Sequence, residues 1–99
     1  MYLIKCFNML MLRGVLEILE MADGADPKSF SNFTKISINK KRLSSATVSK
    51  RLNELVAAGV MVEVIHKSAT GRKIIAYKTT DKGRKVIEHA KEIEKALSS

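Results

Sequence analysis

The sequence contains a single cysteine, so it forms no internal disulfide bond, and nothing else in it argues for secretion. It also lacks any run of about eighteen uncharged apolar residues, so no membrane span is predicted. The apolar start, Met1 to Leu12, includes Lys5 and Asn8 and has no small-residue cleavage site. We therefore expect it to belong to the mature structure rather than to a signal peptide. Together these absences favour a cytoplasmic protein.

Patterns typical of an enzyme are also missing. There are no paired carboxylates, no Ser-His-Asp or Cys-His arrangement and no glycine-rich phosphate loop, so no catalytic activity and no cofactor are predicted. His66 and His89 have no cysteine or carboxylate partners at ligand spacing, and no metal site is expected. Cys6 is predicted to be a small buried hydrophobe. A redox-sensing role for Cys6 stays open as the alternative, because Lys5 beside it would favour the thiolate.

Acidic residues are absent from one long stretch. Between Pro27 and Asn53 there are seven basic residues and no acid, and the whole chain has 18 Lys+Arg against 10 Asp+Glu. Residues 64–80 form a second basic block, whereas the charges elsewhere nearly cancel. The net charge of +8 suits a polyanionic partner, although many soluble proteins also have basic surfaces.

The chain length predicts one domain, residues 1–99, with a modest core. Its first element is predicted to be a helix from Asn8, which would cap it, to Ala22. Gly24 and Pro27 would end this helix, because glycine adopts the left-handed turn and proline cannot continue the helical hydrogen bonds. The apolar side of the predicted helix comprises Leu12, Val15, Leu16, Leu19 and Ala22.

Two further helices are predicted in the acid-free stretch. A short second helix begins near Ser29 or Ser31. Its apolar side comprises Phe30, Phe33 and Ile36. The third helix, about residues 44–58, is capped by Ser44 or Ser45 and ends at Gly59. Its buried side comprises Val48, Leu52, Leu55 and Val56.

The second half of the chain predicts a hairpin followed by a helix. Residues 60–66 and 73–78 are rich in β-branched and apolar side chains, and the loop between them contains Gly71. Thr80 then caps a last helix that runs to about Leu97. Helix, helix, helix, hairpin, helix is the order of a winged helix-turn-helix, an α+β fold that is mainly α with a small β-hairpin. The two basic blocks fall on the third helix with its preceding turn and on the hairpin.

Several short motifs resemble those of a known class of proteins. Residues 43–55 read L-S-S-A-T-V-S-K-R-L-N-E-L and are followed by Ala58-Gly59-Val60, and residues 77–83 read Y-K-T-T-D-K-G. With Phe30-Ser31-Asn32-Phe33, they resemble the winged-helix transcriptional regulators of bacteria and archaea, most of all the HxlR-like and MarR-like families. The resemblance covers roughly residues 30–83 and implies DNA binding. Thr79 stands where those families usually have leucine, and residues 38–42 make the turn about three residues longer.

In this fold the exposed face of the third helix, about residues 44–58, enters the major groove, and the hairpin, about residues 60–78, is the wing that contacts the flanking backbone. Lys50 could reach guanine acceptors and Asn53 could pair with adenine. The predicted base-reading residues are Ser45, Ala46, Thr47, Ser49, Lys50 and Asn53. The predicted backbone contacts are Lys35, Lys40, Lys41, Arg42, Ser44, Arg51, Lys67, Arg72 and Lys73. The alternative for Asn53 and for each of the charged residues is a solvated surface position.

The last helix, about residues 80–97, has more apolar residues than a helix at the edge of a small domain needs. We therefore predict a homodimer, with Tyr2, Leu3, Ile4 and Phe7 as a further contribution, although packing within one monomer is the alternative. The predicted dimer interface comprises Val86, Ile87, Ala90, Ile93 and Leu97.

The predicted function is sequence-specific binding of double-stranded DNA by a dimeric, nucleoid-associated transcriptional regulator. Two alternatives remain. One is a winged-helix adaptor that binds proteins, which Glu54 and the neutral Ala46 and Ala57 on the exposed side of the third helix would allow. The other is a non-specific chromatin protein, which needs the charge but no particular bases. The operator, the direction of regulation and any small-molecule effector cannot be read from the sequence.

Overall fold

The structure is a computed structural model that describes residues 12–99. The predictions for Asn8, for Cys6 and for a dimer contribution from residues 2–7 lie outside the described residues. Within them, four helices and two small antiparallel sheets form an α+β fold, which confirms the predicted class. Their buried side chains form one hydrophobic cluster, to which all four helices and the hairpin contribute.

Helix α1 spans Val15–Ala22 and buries one side against the core. The prediction that the helix runs unbroken through residues 12–14 is wrong, because Gly14 has a φ of +91°, which a right-handed helix cannot accommodate. Leu12 is consequently 39% exposed rather than part of the buried side, and Ile18 is fully buried instead. A side chain at position 14 would also collide with Leu43, since an added Cβ would lie 2.8 Å from its Cδ1.

Strand β1, Lys28–Ser29, leads directly into the single-turn helix α2, Phe30–Phe33. Of the two predicted starting points the structure uses Ser29, whose backbone N–H donates to Oδ1 of Asn32 at 2.9 Å. Phe33 is fully buried. Phe30 was predicted to lie on the same apolar side, but it is 36% exposed.

A small ribbon that was not predicted follows α2. Strands β2, Ser37–Ile38, and β3, Lys41–Arg42, pair antiparallel through a turn at Asn39 and Lys40. Both turn residues have positive φ, 52° and 67°, as the central residues of a type I′ hairpin turn require. We call residues 37–42 the basic ribbon. It accounts for the extra length noticed between the second and third helices.

Helix α3 spans Ser45–Ala57, close to its predicted bounds, and Ser44 is its cap. The side chains of Val48, Leu52 and Leu55 are buried, as the helical period predicted, and Val56 is half-buried. Ala58 is the C-cap of the helix, and Gly59 follows with a φ of +78°.

Strands β4, Met61–Lys67, and β5, Lys73–Thr79, form the predicted hairpin, in register from Met61↔Thr79 to Lys67↔Lys73. Strand β1 adds to the far side of β5, which gives a three-stranded sheet in the order β1-β5-β4. The base of the hairpin enters the core, where the ring of Tyr77 meets that of Phe33 edge to face with centroids 6.0 Å apart. Burial, with a smaller contribution from the charge of Glu63, raises the pKa of Tyr77 above its ordinary value.

The buried hydroxyl of Thr79 donates to the carbonyl of Leu19 at 2.8 Å. That carbonyl lies in the last turn of α1, where the N–H of Asp23 donates to Glu20 instead. Thr79 thus supplies the donor that the helix end lacks. A leucine at this position could not do so.

Helix α4 spans Asp81–Ser98 and is capped by Thr80, whose hydroxyl accepts from the N–H of Gly83 at 3.2 Å. Gly83 and Ile87 are buried against the domain. Arg84 bridges Asp23 and Asp81, and its hydrogen bond to Asp23 is the main reason why the pKa of Arg84 is raised. No helix within residues 12–99 is both long and apolar enough to cross a membrane.

The first turn of α4 tests the packing of this fold. An added Cβ at Gly83 would collide with the carbonyl oxygen of Val60 and with Cγ2 of Thr79, whereas Gly24 has nothing within 4 Å. We predict that Gly83→Ala lowers the free energy of unfolding by about 1–3 kcal/mol, because backbone must move to admit the methyl group. Gly24→Ala is the matched control and should be close to neutral. Urea denaturation measures both, and equal stabilities of the two variants would contradict the packing.

Candidate nucleic-acid interface

The exposed side of α3 carries most of the residues predicted to read bases. Ser45, Ala46, Ser49, Lys50 and Asn53 are all exposed, and Thr47 is half-buried at the edge of this side. The spacing of three and four residues places Ala46, Lys50 and Asn53 in one row opposite the buried Val48 and Leu52. The structure therefore brings the predicted set together on one helix face.

The amino end of α3 is organised by two hydroxyl groups. Ser44 accepts a hydrogen bond from the backbone N–H of Thr47 at 3.1 Å, and its own hydroxyl donates to Oγ1 of Thr47 at 2.9 Å. The O–H of Thr47 is thereby left to donate to an outside acceptor. The first turn of a helix also carries partial positive charge from its unpaired N–H groups, which favours an anionic partner at this end.

Arg51, predicted to contact the DNA backbone, is engaged within the domain. Its Nη1 donates to Glu54 at 2.6 Å, its Nε donates to the carbonyl of Arg13 at 3.2 Å, and its side chain is 13% exposed. This pair neutralises the one acid of α3, which had allowed the adaptor alternative. A phosphate contact by Arg51 would require these bonds to break.

The basic ribbon precedes α3 and exposes Lys40, Lys41 and Arg42, which were predicted as backbone contacts. Its support comes from Arg13, which was not predicted as a site residue. Nη2 of Arg13 donates to the carbonyl of Ile38 at 3.2 Å and to the carbonyl of Lys41 at 3.3 Å. These two acceptors lie on opposite strands of the ribbon, so one guanidinium ties both.

The tip of the β4–β5 hairpin is a closed loop. The N–H of Gly71 donates to the carbonyl of Ser68 at 2.9 Å, and the N–H of Ser68 donates to the carbonyl of Arg72 at 2.8 Å. Lys67 and Lys73 face each other across the last pair of the two strands. Both lysines and Arg72 are exposed, as is Lys35 in the segment after α2.

Charge at this surface is not cancelled within the domain. Among residues 12–99, the ion pairs join Arg51 to Glu54 and Arg84 to two aspartates, and Nδ1 of His89 lies 3.6 Å from Glu92. None of these pairs uses a cation of the basic ribbon, of the hairpin tip or Lys50. In the same described part of the chain, no three His, Cys, Asp or Glu side chains are grouped as a metal site would need.

The residues predicted for a dimer interface divide into two groups along α4. Ile87 is buried in its own domain, and Val86 and Ala90 are half-buried. Ile93 is 43% exposed and Leu97 is 79% exposed, and both lie in the part of α4 after Ala90, where every residue is exposed. Within α4, the exposed large apolar side chains are thus confined to the distal half.

Comparison with solved structures finds a protein of the same fold. A crystal structure of a proposed transcriptional regulator from Thermoplasma acidophilum superposes with a TM-score of 0.66 at 18% sequence identity, over 86% of this chain and 84% of the other. No protein-family model matches the chain, and a search of curated proteins finds no match. The similarity therefore shows a shared fold, without assigning the chain to the HxlR-like or MarR-like families.

The cap of α3 can be tested directly. We predict that Ser44→Ala lowers the free energy of unfolding by about 1 kcal/mol, because the N–H of Thr47 loses its acceptor. Ser45→Ala is the matched control, since the exposed Ser45 is already inside the helix. Thermal unfolding followed by circular dichroism measures the difference. Equal melting temperatures would show that Ser44 does not cap the helix.

Proposed function

We propose that this protein is a winged helix-turn-helix transcriptional regulator that binds double-stranded DNA. In this proposal α2, the basic ribbon and α3 form the helix-turn-helix, α3 is the recognition helix, and the β4–β5 hairpin is the wing. The observation that carries it is the exposed face of α3, where Lys50 and small polar side chains lie together while Glu54 is paired with Arg51. The shared fold with a proposed regulator from Thermoplasma acidophilum supports the same function.

The residues divide into two roles in this proposal. Lys50, Thr47 and Asn53 lie on the face that would meet base edges, where each good pairing discriminates by about 1–3 kcal/mol. The cations of the basic ribbon and of the wing tip would neutralise phosphates, which adds affinity without sequence information. The pairing of Glu54 removes one of the features that allowed the protein-binding adaptor, whereas the exposed Ala46 and Ala57 still allow it.

Two substitutions distinguish a residue that contacts bases from a residue that contacts phosphates. We predict that Lys50→Ala lowers the preference for one DNA site over random duplex by roughly tenfold, because its contact is to a base. Arg72→Ala should weaken both DNAs equally and lower the log-log salt slope by about 0.9, because its contact is to a phosphate. The measurement is fluorescence anisotropy with DNA from the region upstream of the protein's own coding sequence and with random duplex, across a salt series.

The matched control is Lys91→Ala, which removes one exposed cation from α4. It should bind both DNAs as the wild type does. Equal losses from Lys50→Ala and Arg72→Ala would contradict the division of roles. Binding to both DNAs with no preference at any salt concentration would favour the non-specific chromatin protein, and no binding to either would favour the adaptor.

We further propose that the protein is a homodimer joined through the distal half of α4. Ile93 and Leu97 lie one helical turn apart and are both exposed, which is the spacing of a two-helix seam. A two-fold dimer would place two copies of α3 about 34 Å apart and match an inverted-repeat operator.

We predict that Ile93→Glu combined with Leu97→Glu produces a monomer, because charged side chains cannot be buried in an apolar seam. The folded domain should keep its melting temperature at concentrations where the wild type is monomeric, since neither residue is buried in it. The matched control, Glu92→Gln with Lys95→Gln, alters the exposed polar side of the same segment. Sedimentation velocity measures the state, and a dimeric charged variant would exclude this interface.

A further inference from the structure

The basic ribbon is held in a fixed position relative to α3. At its end Leu43 is buried, its N–H donates to the carbonyl of Ile36 at 3.0 Å, and Ser44 caps α3 one residue later. The two strands have only two residue pairs, Ser37↔Arg42 and Ile38↔Lys41. Because so short a hairpin is at best marginally stable alone, its shape depends on support from the rest of the domain.

That support is a series of hydrogen bonds made by charged residues, which connects α3 to the ribbon. Glu54 accepts from Arg51, Arg51 donates to the carbonyl of Arg13, and Arg13 donates to the carbonyls of Ile38 and Lys41. This series of hydrogen bonds begins on α3 and ends on the basic ribbon, the two elements whose relative position matters. Arg13 and Arg51 therefore couple the ribbon to the same helix that carries Lys50.

The turn of the ribbon contains an unfavourable choice of residue. Type I′ turns prefer glycine at the second central position, because a Cβ is strained at positive φ, yet Lys40 occupies it with a φ of 67°. Asn39, at the first position, is a residue that tolerates this conformation. Such strain is typical of functional positions, where the side chain itself is needed. The side chain of Lys40 is exposed at the tip.

We infer that the basic ribbon is a second phosphate-binding hairpin, whose tip Lys40 contacts the DNA backbone beside the groove that α3 enters, with Arg13 as its positioning residue. This inference rests on the proposed function, in which the cations of the basic ribbon neutralise phosphates. It adds the contact of Lys40 at the tip and the positioning role of Arg13. Arg13 itself contacts no DNA in this scheme. It acts through the position of Lys40 and its neighbours, in the way a guanidinium can hold two acceptors at once.

Phosphate fits this tip better than a base edge does. Lysine is a compact point charge that recognises phosphate without needing a defined orientation, and Lys41 and Arg42 beside it add positive field. The described structure gives none of these three side chains an ion-pair partner. Each neutralised phosphate then contributes about 0.9 to the log-log slope of affinity against salt.

The decisive comparison replaces Lys40 in two ways. Lys40→Ala removes the charge and keeps the strained Cβ, whereas Lys40→Gly removes the charge and the strain together. We expect both variants to bind a fluorescein-labelled random-sequence duplex several-fold more weakly at low salt, with the slope reduced by about 0.9. Lys40→Gly should also melt a few degrees higher than the wild type, so that binding falls while stability rises. Lys91→Ala is the charge-matched control and should leave binding unchanged.

The positioning role is tested by Arg13→Lys, which keeps the net charge but has a shorter side chain, so its ammonium ends before the position from which Nη2 of Arg13 reaches both carbonyls. It should lower the affinity and the salt slope about as much as Lys40→Ala does. The double variant should bind no more weakly than Lys40→Ala alone, because the two changes remove one contact. If Arg13 merely stabilised the domain, its effect would appear in the melting temperature and would add to that of Lys40→Ala.

The possible failures are distinguishable. If the wild type does not bind duplex DNA at low salt, the proposed function and this inference both fall. If the wild type binds and both Lys40 variants match Lys91→Ala, the ribbon makes no phosphate contact and the proposed function stands. If the Lys40 variants weaken binding while Arg13→Lys binds as the wild type does, Arg13 is not the positioning residue.

Discussion

The structure depends most on the junction where Thr80 meets Gly59 and Val60. The hydroxyl of Thr80 donates to the carbonyl of Gly59 at 2.8 Å, and its N–H donates to the carbonyl of Val60 at 3.0 Å. Gly83 packs directly on the same carbonyl of Val60. The end of α3, both strands of the hairpin and the start of α4 are thus joined within a few residues. This junction connects the end of α3 directly to the hairpin, and any ligand that contacts both elements would depend on it.

A second constraint is the neutralisation of Glu54. An acid on the outward half of a helix that binds an anion would repel it, and Arg51 removes that repulsion by an ion pair one turn away. The same arginine reaches Arg13 and so connects the helix to the basic ribbon. The charge of Glu54 is therefore compensated, and Glu54 also holds the side chain of Arg51 in place. The described ion pairs leave the cations of the basic ribbon, the hairpin tip and Lys50 available for a ligand.

Local patterns predicted much of this fold. The period of Val48, Leu52 and Leu55 and the serine cap defined α3 almost to the residue, because a helix and its cap are set by neighbours in sequence. The β-branched runs and Gly71 likewise defined the hairpin. The helical period also continued through Gly14, however, and nothing local showed that this glycine turns the chain.

The elements and contacts that were not predicted from the sequence depend on residues that lie far apart along the chain. Strand β1 has two residues and exists through pairing with β5. The basic ribbon has Asn-Lys where the usual turn signal is Asn-Gly, and its support, Arg13, lies 25 and 28 residues from its two acceptors. Arg51 was placed near the exposed face by its helical angle, but its acceptor at Arg13 is 38 residues away. The side chains whose roles in the structure differ from the predicted ones are those with hydrogen-bond partners far away in sequence.

The distal half of α4 has a consequence for how such a protein could diverge. Every side chain after Ala90 is exposed, so insertions and deletions there meet no core packing. One inserted residue would turn everything beyond it by about 100° and move it about 1.5 Å along the axis. Insertions or deletions in this half of the helix would therefore change the direction of Ile93 and Leu97 in discrete steps, while the rest of the domain stays the same.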